Sequence, residues 1–379
     1  MGGNFSAVVI NAGLGDLTLG LTQAGFQVAA ACEEDAAAAA VHQANFNVRV
    51  HSCLSYGKEA WEVPQPDLLA ARLNLSGLER HREPDLSLIS FLEALNNYRP
   101  HAFLVLLNSS ATQKDRHRLL MEQIAQAGYW SAYQALDTAQ MTGFPVQERK
   151  IFLIGGRKER ERRFCFPEPR IPAPEVPERF LELTRQVDPW YFRIRHREDI
   201  PLEKGVRFYC WNGHGYVGTD RVRWNPRNIP LVWDGSDLRK ITHREIANLK
   251  GFPREYSLPV KDKNRLYTKL MYAGNVVVIR QTAEMIRRVL EERLWRSPQI
   301  ERALSFEKLF SRYLAGRAKP AFMQPDKSGA QSDFIVEYDG APLFIEVKSY
   351  SSAAVPEMRL FDACKRLRRN DKAGSWVLA

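Results

Sequence analysis

A chain of 379 residues is too long for one ordinary core and predicts two or three domains, and its 45% apolar content is enough to fill them. Its five cysteines (Cys32, Cys53, Cys165, Cys210, Cys364) are odd in number and scattered without a Cys-x-x-Cys pair, which argues against a disulfide framework or zinc knuckle and for a reducing cytoplasm. A net charge of +10 favours a polyanionic partner, no apolar run approaches the ~18 residues of a membrane span, and the opening Met1-Gly2-Gly3-Asn4-Phe5 has no basic secretory region.

From Phe5 to about Arg157, strand and helix patterns alternate. Ser6 to Ile10 is a short apolar run, followed by a glycine turn and a helix through Gln23. Val28 to Cys32 reads as a strand, Asp35 to Gln43 as an Ala-rich helix and Asp67 to Leu73 as a buried strand. Leu86 to Leu95 has helical spacing, His101 to Leu107 is a strand and Arg116 to Gly128 a helix. Tyr133 to Ala139 and Lys150 to Ile154 then predict an antiparallel pair. Such alternation predicts a doubly wound α/β sheet. Pro167, Pro169, Pro172, Pro174 and Pro177 open a different segment, aromatic and basic, that reads as an irregular β-rich insert. Helical pattern resumes from Leu238 to about Trp295, with one more apolar strand or helix at Val276 to Ile279. The tail from Gln299 reads helix, strand, strand, helix, strand.

In that tail, Asp339-Gly340 is a hairpin turn flanked by alternating apolar residues. Asp333 opens the first strand, and Glu346 and Lys348 share one face of the second. Two carboxylates and a lysine on one hairpin edge are suited to a hard metal ion beside a phosphodiester. Asp333 and Glu346 are the expected metal ligands, for Mg²⁺ with Mn²⁺ as a substitute; Lys348 would orient a water or stabilise charge, and Glu307 on the preceding helix could complete the site. This arrangement resembles the PD-(D/E)xK nuclease core.

Upstream, the turn Asn11-Ala12-Gly13-Leu14-Gly15-Asp16, with Glu33 at the end of the next strand, resembles the AdoMet-binding opening of the C5-cytosine DNA methyltransferases. Phe144-Pro145-Val146-Gln147-Glu148-Arg149-Lys150 through Gly155 is similar to a second block of that family. Ile241-Thr242-His243-Arg244-Glu245, continuing to Leu249-Lys250-Gly251-Phe252-Pro253, is similar to a third, and Tyr267 to Val278 takes the place of its last. The resemblance implies an AdoMet-methyltransferase-like, Rossmann-like fold over 1–157 and 236–295. The insert at 158–235 falls where the family reads its target, and 296–379 is left as the nuclease domain. It makes Arg193, Arg195, Arg197, Trp211, Arg221 and Arg223 the DNA-binding candidates, since guanidinium groups suit phosphates and aromatics suit bases.

Against the family pattern, Asn74 stands where the nucleophilic cysteine would be, and a carboxamide cannot attack cytosine C6. The base-contacting Glu is replaced by Leu107, the Q-x-R-x-R set by Val146, Glu148 and Lys150, and Asp16 crowds the glycine turn. Gly13, Gly15 and Glu33 then read as a vestigial AdoMet pocket, with AdoMet use unlikely. The expectation is a cytoplasmic Mg²⁺-dependent DNA endonuclease of a defence system, steered by a silent methyltransferase domain. Its partners would be double-stranded DNA, a second copy for double-strand cutting and a possible partner methyltransferase, with no membrane. The alternative is a silent DNA-binding partner of an active methyltransferase. Whether cytosine methylation licenses cutting, blocks it or is ignored is left open.

Overall fold

Strands and helices alternate through the first half of the chain because apolar residues recur there first at period two and then at helical spacing. The computed structural model describes residues 5–51, 65–74, 86–107, 114–158, 164–169, 172–194, 197–225, 227–291, 334–338, 341–346 and 375–378. The chain divides into two compact units, Met1–Leu290 and Glu291–Ala379.

In the first unit, β1 (Phe5–Ile10), α1 (Asp16–Gln23), β2 (Phe26–Cys32), α2 (Ala36–Asn45) and β3 (Val50–His51) precede β4 (Leu68–Leu73), α3 (Leu86–Tyr98) and β5 (Ala102–Leu107). Then come α4 (Lys114–Gln126), β6 (Tyr129–Asp137), α5 (Thr138–Thr142), β7 (Val146–Gln147) and β8 (Arg149–Arg157). Seven strands form one sheet in the order β3-β2-β1-β4-β5-β8-β6. β1 to β5 run parallel, and β8 runs antiparallel to both β5 and β6.

Among its described residues, the insert holds four short 3₁₀ turns (Pro177–Phe180, Thr184–Gln186, Pro189–Phe192, Arg197–Asp199). They are followed by β9 (Arg207–Trp211), β10 (Tyr216–Thr219), β11 (Val222–Arg223), β12 (Leu231–Trp233) and β13 (Leu238–Lys240). A four-stranded sheet, β10-β9-β12-β13, forms its centre, while β11 pairs with β7. α6 (His243–Leu249) and α7 (Lys263–Tyr272) return the chain to the large sheet, and α8, residues 276–291, settles the apolar run at Val276 as helix.

Alternate side chains of each strand serve opposite cores, as a two-sided sheet requires. Phe5, Ala7 and Val9 of β1 pack with Leu17 and Leu21 of α1 and with Ile279, Ala283 and Ile286 of α8. Val8 and Ile10 turn the other way, toward Phe91 and Leu95 of α3 and Leu120 and Ile124 of α4. Helices therefore cover both faces, and the expected doubly wound sheet is present.

In the second unit, β14 (Phe334–Tyr338) pairs antiparallel with β15 (Ala341–Glu346), in the register Phe334 opposite Ile345. β16 (Ser375–Leu378) runs parallel to β15. These match the strands expected around Asp339-Gly340 and at the end of the chain. Among the described residues, no helix is long and apolar enough to cross a membrane. Cys32, at the end of β2, takes part in a disulfide, contrary to the expectation from cysteine spacing.

Candidate functional site

An open parallel sheet binds ligands beyond the carboxyl ends of its strands, where the strand order reverses direction. Here that point lies between β1 and β4, which are neighbours although β2 and β3 intervene in sequence. The turn leaving β1 is held there by unusual backbone. Asn11, Gly13 and Gly15 have φ of 54°, 58° and 91°. Glycine adopts that region freely, and asparagine is among the side chains that tolerate it. Glu33, just past β2, accepts hydrogen bonds from the N–H of Gly13 at 2.7 Å and of Asp35 at 2.9 Å. Its carboxylate is 8% exposed and fastens the ends of β1 and β2 together.

The crevice is closed by a residue the motif reading did not single out. Arg72 lies in β4, whose other residues are all apolar, and it is only 6% exposed. Its carbonyl accepts from Asn11 Nδ2 at 3.0 Å. Its Nη2 donates to both oxygens of Asp16, which is fully buried. Asp16 also accepts the N–H of Gly274 at 2.6 Å. A β-carbon built on Gly13 would overlap the Arg72 guanidinium. The space that glycine keeps open is thus filled by this chain's own arginine. A charge inside an apolar strand was the signal in the sequence.

Three further departures from the family pattern, Glu148, Lys150 and Val146, also have structural partners. Lys250 is fully buried, and its ammonium donates to Glu148 Oε1, to the carbonyl of Ala273 at 2.8 Å and to that of Met271 at 3.2 Å. Burial lowers its pKa, opposed by the charge of Glu148. Lys150 is pushed down to about 8, first by burial and then by the neighbouring Lys250, with Glu148 opposing. Val146 pairs with Val222 in the short parallel ladder of β7 and β11.

The DNA-binding candidates do not form one cluster. Arg193 and Trp211 line a cavity of about 780 Å³ with Tyr216, Arg227 and Lys240. Trp211 and Tyr216 meet edge to face at 5.5 Å. Arg221 lines a separate cleft of about 550 Å³ beside Phe144 and Glu175. Both Nε and Nη2 of Arg223 donate to Gln147 Oε1, at 3.0 and 2.9 Å. Arg197 faces Asp237 at 3.8 Å. Arg195 lies outside the described residues.

Residues 5–291 match the family model of C-5 cytosine-specific DNA methylases. The chain belongs to the C-5 cytosine-specific DNA methylase family. The Type II methyltransferase M.Bsp6I of Bacillus sp. (strain RFL6) is 25% identical over 309 residues, 74% of this chain and 95% of the relative. M.NlaX of Neisseria lactamica is 26% identical over 308 residues, 76% of this chain and 97% of the relative. The fold is shared with a DNMT2 variant from Spodoptera frugiperda, at TM-score 0.55 and 14% identity, covering 75% of this chain and 99% of that one. A putative DNA modification methyltransferase encoded within an E. coli prophage matches at TM-score 0.53 and 15% identity, over 76% and 99%.

These matches overturn the endonuclease expectation. The family and its relatives are methylases, and none of these names indicates a nuclease. Asp333, Lys348 and Glu307 lie outside the described residues, and of Glu346 only the backbone at the end of β15 is described. Among the described residues, no three His, Cys, Asp or Glu side chains group as metal ligands. Three charges on a hairpin form a short local pattern that any solvent-facing hairpin can carry, whereas the methylase match runs through the whole first unit. The Mg²⁺ assignment falls with the nuclease, as does the homodimer argued from double-strand cutting. The expectation that AdoMet plays no part is likewise corrected by membership of a methylase family.

Proposed function

We propose that this chain works in cytosine-C5 methylation of DNA, binding AdoMet at the crevice between β1 and β4 and duplex DNA through its insert. The observation that carries this is the glycine turn and Glu33 at the switch point of the sheet, inside a methylase match over residues 5–291. AdoMet supplies an electrophilic methyl group on a sulfonium. Glu33, at the end of the second strand, is where such folds hold a ribose hydroxyl. The amino-acid side of the donor would lie toward Gly13, where Arg72 now stands.

On the DNA side, Arg193 and Trp211 at the larger cavity and Arg221 at the smaller cleft are the proposed contacts. Arg195, Arg197 and Arg223 are proposed as further phosphate contacts on the same insert, over 158–235. Phosphate contacts of this kind make affinity fall with salt, by a log–log slope of roughly 0.9 per neutralised phosphate. The carboxamide of Asn74 at the end of β4 cannot act as the nucleophile that adds to cytosine C6.

The test is transfer of labelled methyl from AdoMet to duplex DNA, read as 5-methylcytosine by mass spectrometry. Formation of 5-methylcytosine establishes the proposal and shows that the attacking group is supplied outside the β4 end. Binding of AdoMet and DNA without methyl transfer would limit the role to recognition. Failure to bind either ligand would overturn the reading.

A further inference from the structure

Resting on the reading of the β1–β4 crevice as a donor site, we propose that the Arg72–Asp16 pair is a latch built into that site. AdoMet can enter only when the Arg72 guanidinium leaves Gly13. A glycine turn at a sheet's switch point ordinarily keeps backbone open for a ligand's close approach. In this chain the same turn is complete, with Gly13 at φ 58° and its N–H held by Glu33, yet the opening beside Gly13 is filled from β4.

The ion pair is more than a stray surface contact. Arg72 and Asp16 are both buried, so the pair is screened little by solvent. Asp16 joins three segments. It begins α1, it binds Arg72 of β4, and it takes the Gly274 N–H just ahead of α8. Asn11 adds a fourth tie by donating to the Arg72 carbonyl. Moving the guanidinium therefore loosens the entrance of the crevice without touching Glu33 or the apolar sheet.

The attachment is also suited to release. Arg72 reaches the carboxylate through one terminal nitrogen, Nη2, while Nη1 faces the glycine and Nε has no hydrogen-bond partner. A two-nitrogen fork is the stronger arrangement, and it is not used here. A ligand whose site is open for only a fraction of the time binds with its intrinsic dissociation constant divided by that fraction. The latch thus sets the apparent affinity and leaves the contacts to Glu33 as they are.

The experiment is calorimetric titration of the full chain with AdoMet and with S-adenosylhomocysteine, comparing wild type with Arg72→Ala and Asp16→Asn. Circular dichroism confirms that each variant is folded. Asp16→Asn is the second route to an open crevice, because it keeps an acceptor for Gly274 and removes the charge that holds Arg72. Affinity for both ligands is expected to rise roughly tenfold in either variant. Wild-type binding that is unchanged in both variants overturns the latch and leaves the donor-site reading intact. Weaker binding in Arg72→Ala also overturns it, and makes Arg72 a group that holds the donor. If no form of the protein binds either ligand, the donor-site reading fails and the latch fails with it.

Discussion

Among the described residues, two buried arginines meet carboxylates, Arg239 and Arg72, and they are wired differently. Arg239 meets Glu245 as a fork, Nη1 to Oε2 at 2.8 Å and Nη2 to Oε1 at 2.7 Å. Each Glu245 oxygen takes a second donor, the N–H of Glu182 or the N–H of Thr242, both at 2.8 Å. Arg72 meets Asp16 through a single nitrogen, beside a glycine turn at the mouth of the sheet. The first pair fixes the insert to the start of α6, with every carboxylate lone pair engaged. The second fills a crevice that the same fold uses for ligands. Burial and opposite charge alone do not separate a structural pair from one at a site; the number of guanidinium nitrogens that reach the carboxylate and the neighbouring backbone do.

The largest effect is expected from breaking the forked pair. Glu245→Ala leaves Arg239 charged and fully buried and removes the acceptor for two backbone N–H groups. Removing one partner of such a pair costs about 3–5 kcal/mol. Urea unfolding should show a loss of that size, and a loss below about 1 kcal/mol would mean that water or a neighbour replaces the carboxylate.

Acid should reach both regions, because each keeps a neutral histidine. His42 Nε2 is 2.9 Å from Thr18 Oγ1 on α1, and burial pushes its pKa down to about 4 despite the Asp16 charge nearby. His243, at the start of α6, lies against Tyr191 and the Lys263 carbonyl of α7, and burial pushes it down to about 4 as well. Between about pH 6.5 and pH 4 the unfolded chain binds these protons and the folded chain does not. Stability is therefore full above pH 6.5 and falls as the pH drops to about 4, by up to about 3 kcal/mol for each histidine. Urea midpoints measured across that range should decline, and His42→Gln should remove part of the slope. A flat profile would contradict both assignments.

A smaller effect separates the two pairs directly. In double-mutant cycles, Arg239→Met with Glu245→Gln should give a larger coupling than Arg72→Met with Asp16→Asn. For the single-nitrogen pair a coupling of about 1 kcal/mol is expected. Equal couplings would erase the distinction between a fork and a latch.

The sheet was legible in the sequence because local periodicity encodes it. The β1, β4 and β5 segments are short apolar runs, and the glycine turn after Ile10 marks the ligand edge. The paired charges were not legible. Arg72 and Asp16 are 56 positions apart, and Lys250 and Glu148 are 102 apart. Such pairs exist only once the strands are assembled. The same limit applies to the tail. Asp333, Glu346 and Lys348 form a local pattern without long-range support, whereas the family match that outweighs the departures at Asn74, Leu107, Val146, Glu148 and Lys150 is spread over the first unit.

The smallest change probes the cap beside the forked pair. Thr242 Oγ1 accepts the Glu245 N–H at 3.1 Å, and the Glu245 side chain returns to the Thr242 N–H, a capping box that starts α6. Thr242→Ala removes one half of that exchange and should cost about 1 kcal/mol, with Thr242→Ser restoring most of it. The Arg239 fork survives this substitution, because its acceptors belong to Glu245. If that region serves structure alone, Thr242→Ala lowers the urea midpoint and leaves S-adenosylhomocysteine binding unchanged. A change in ligand affinity would show that the insert end and the crevice communicate, and would undo the separation of the two pairs.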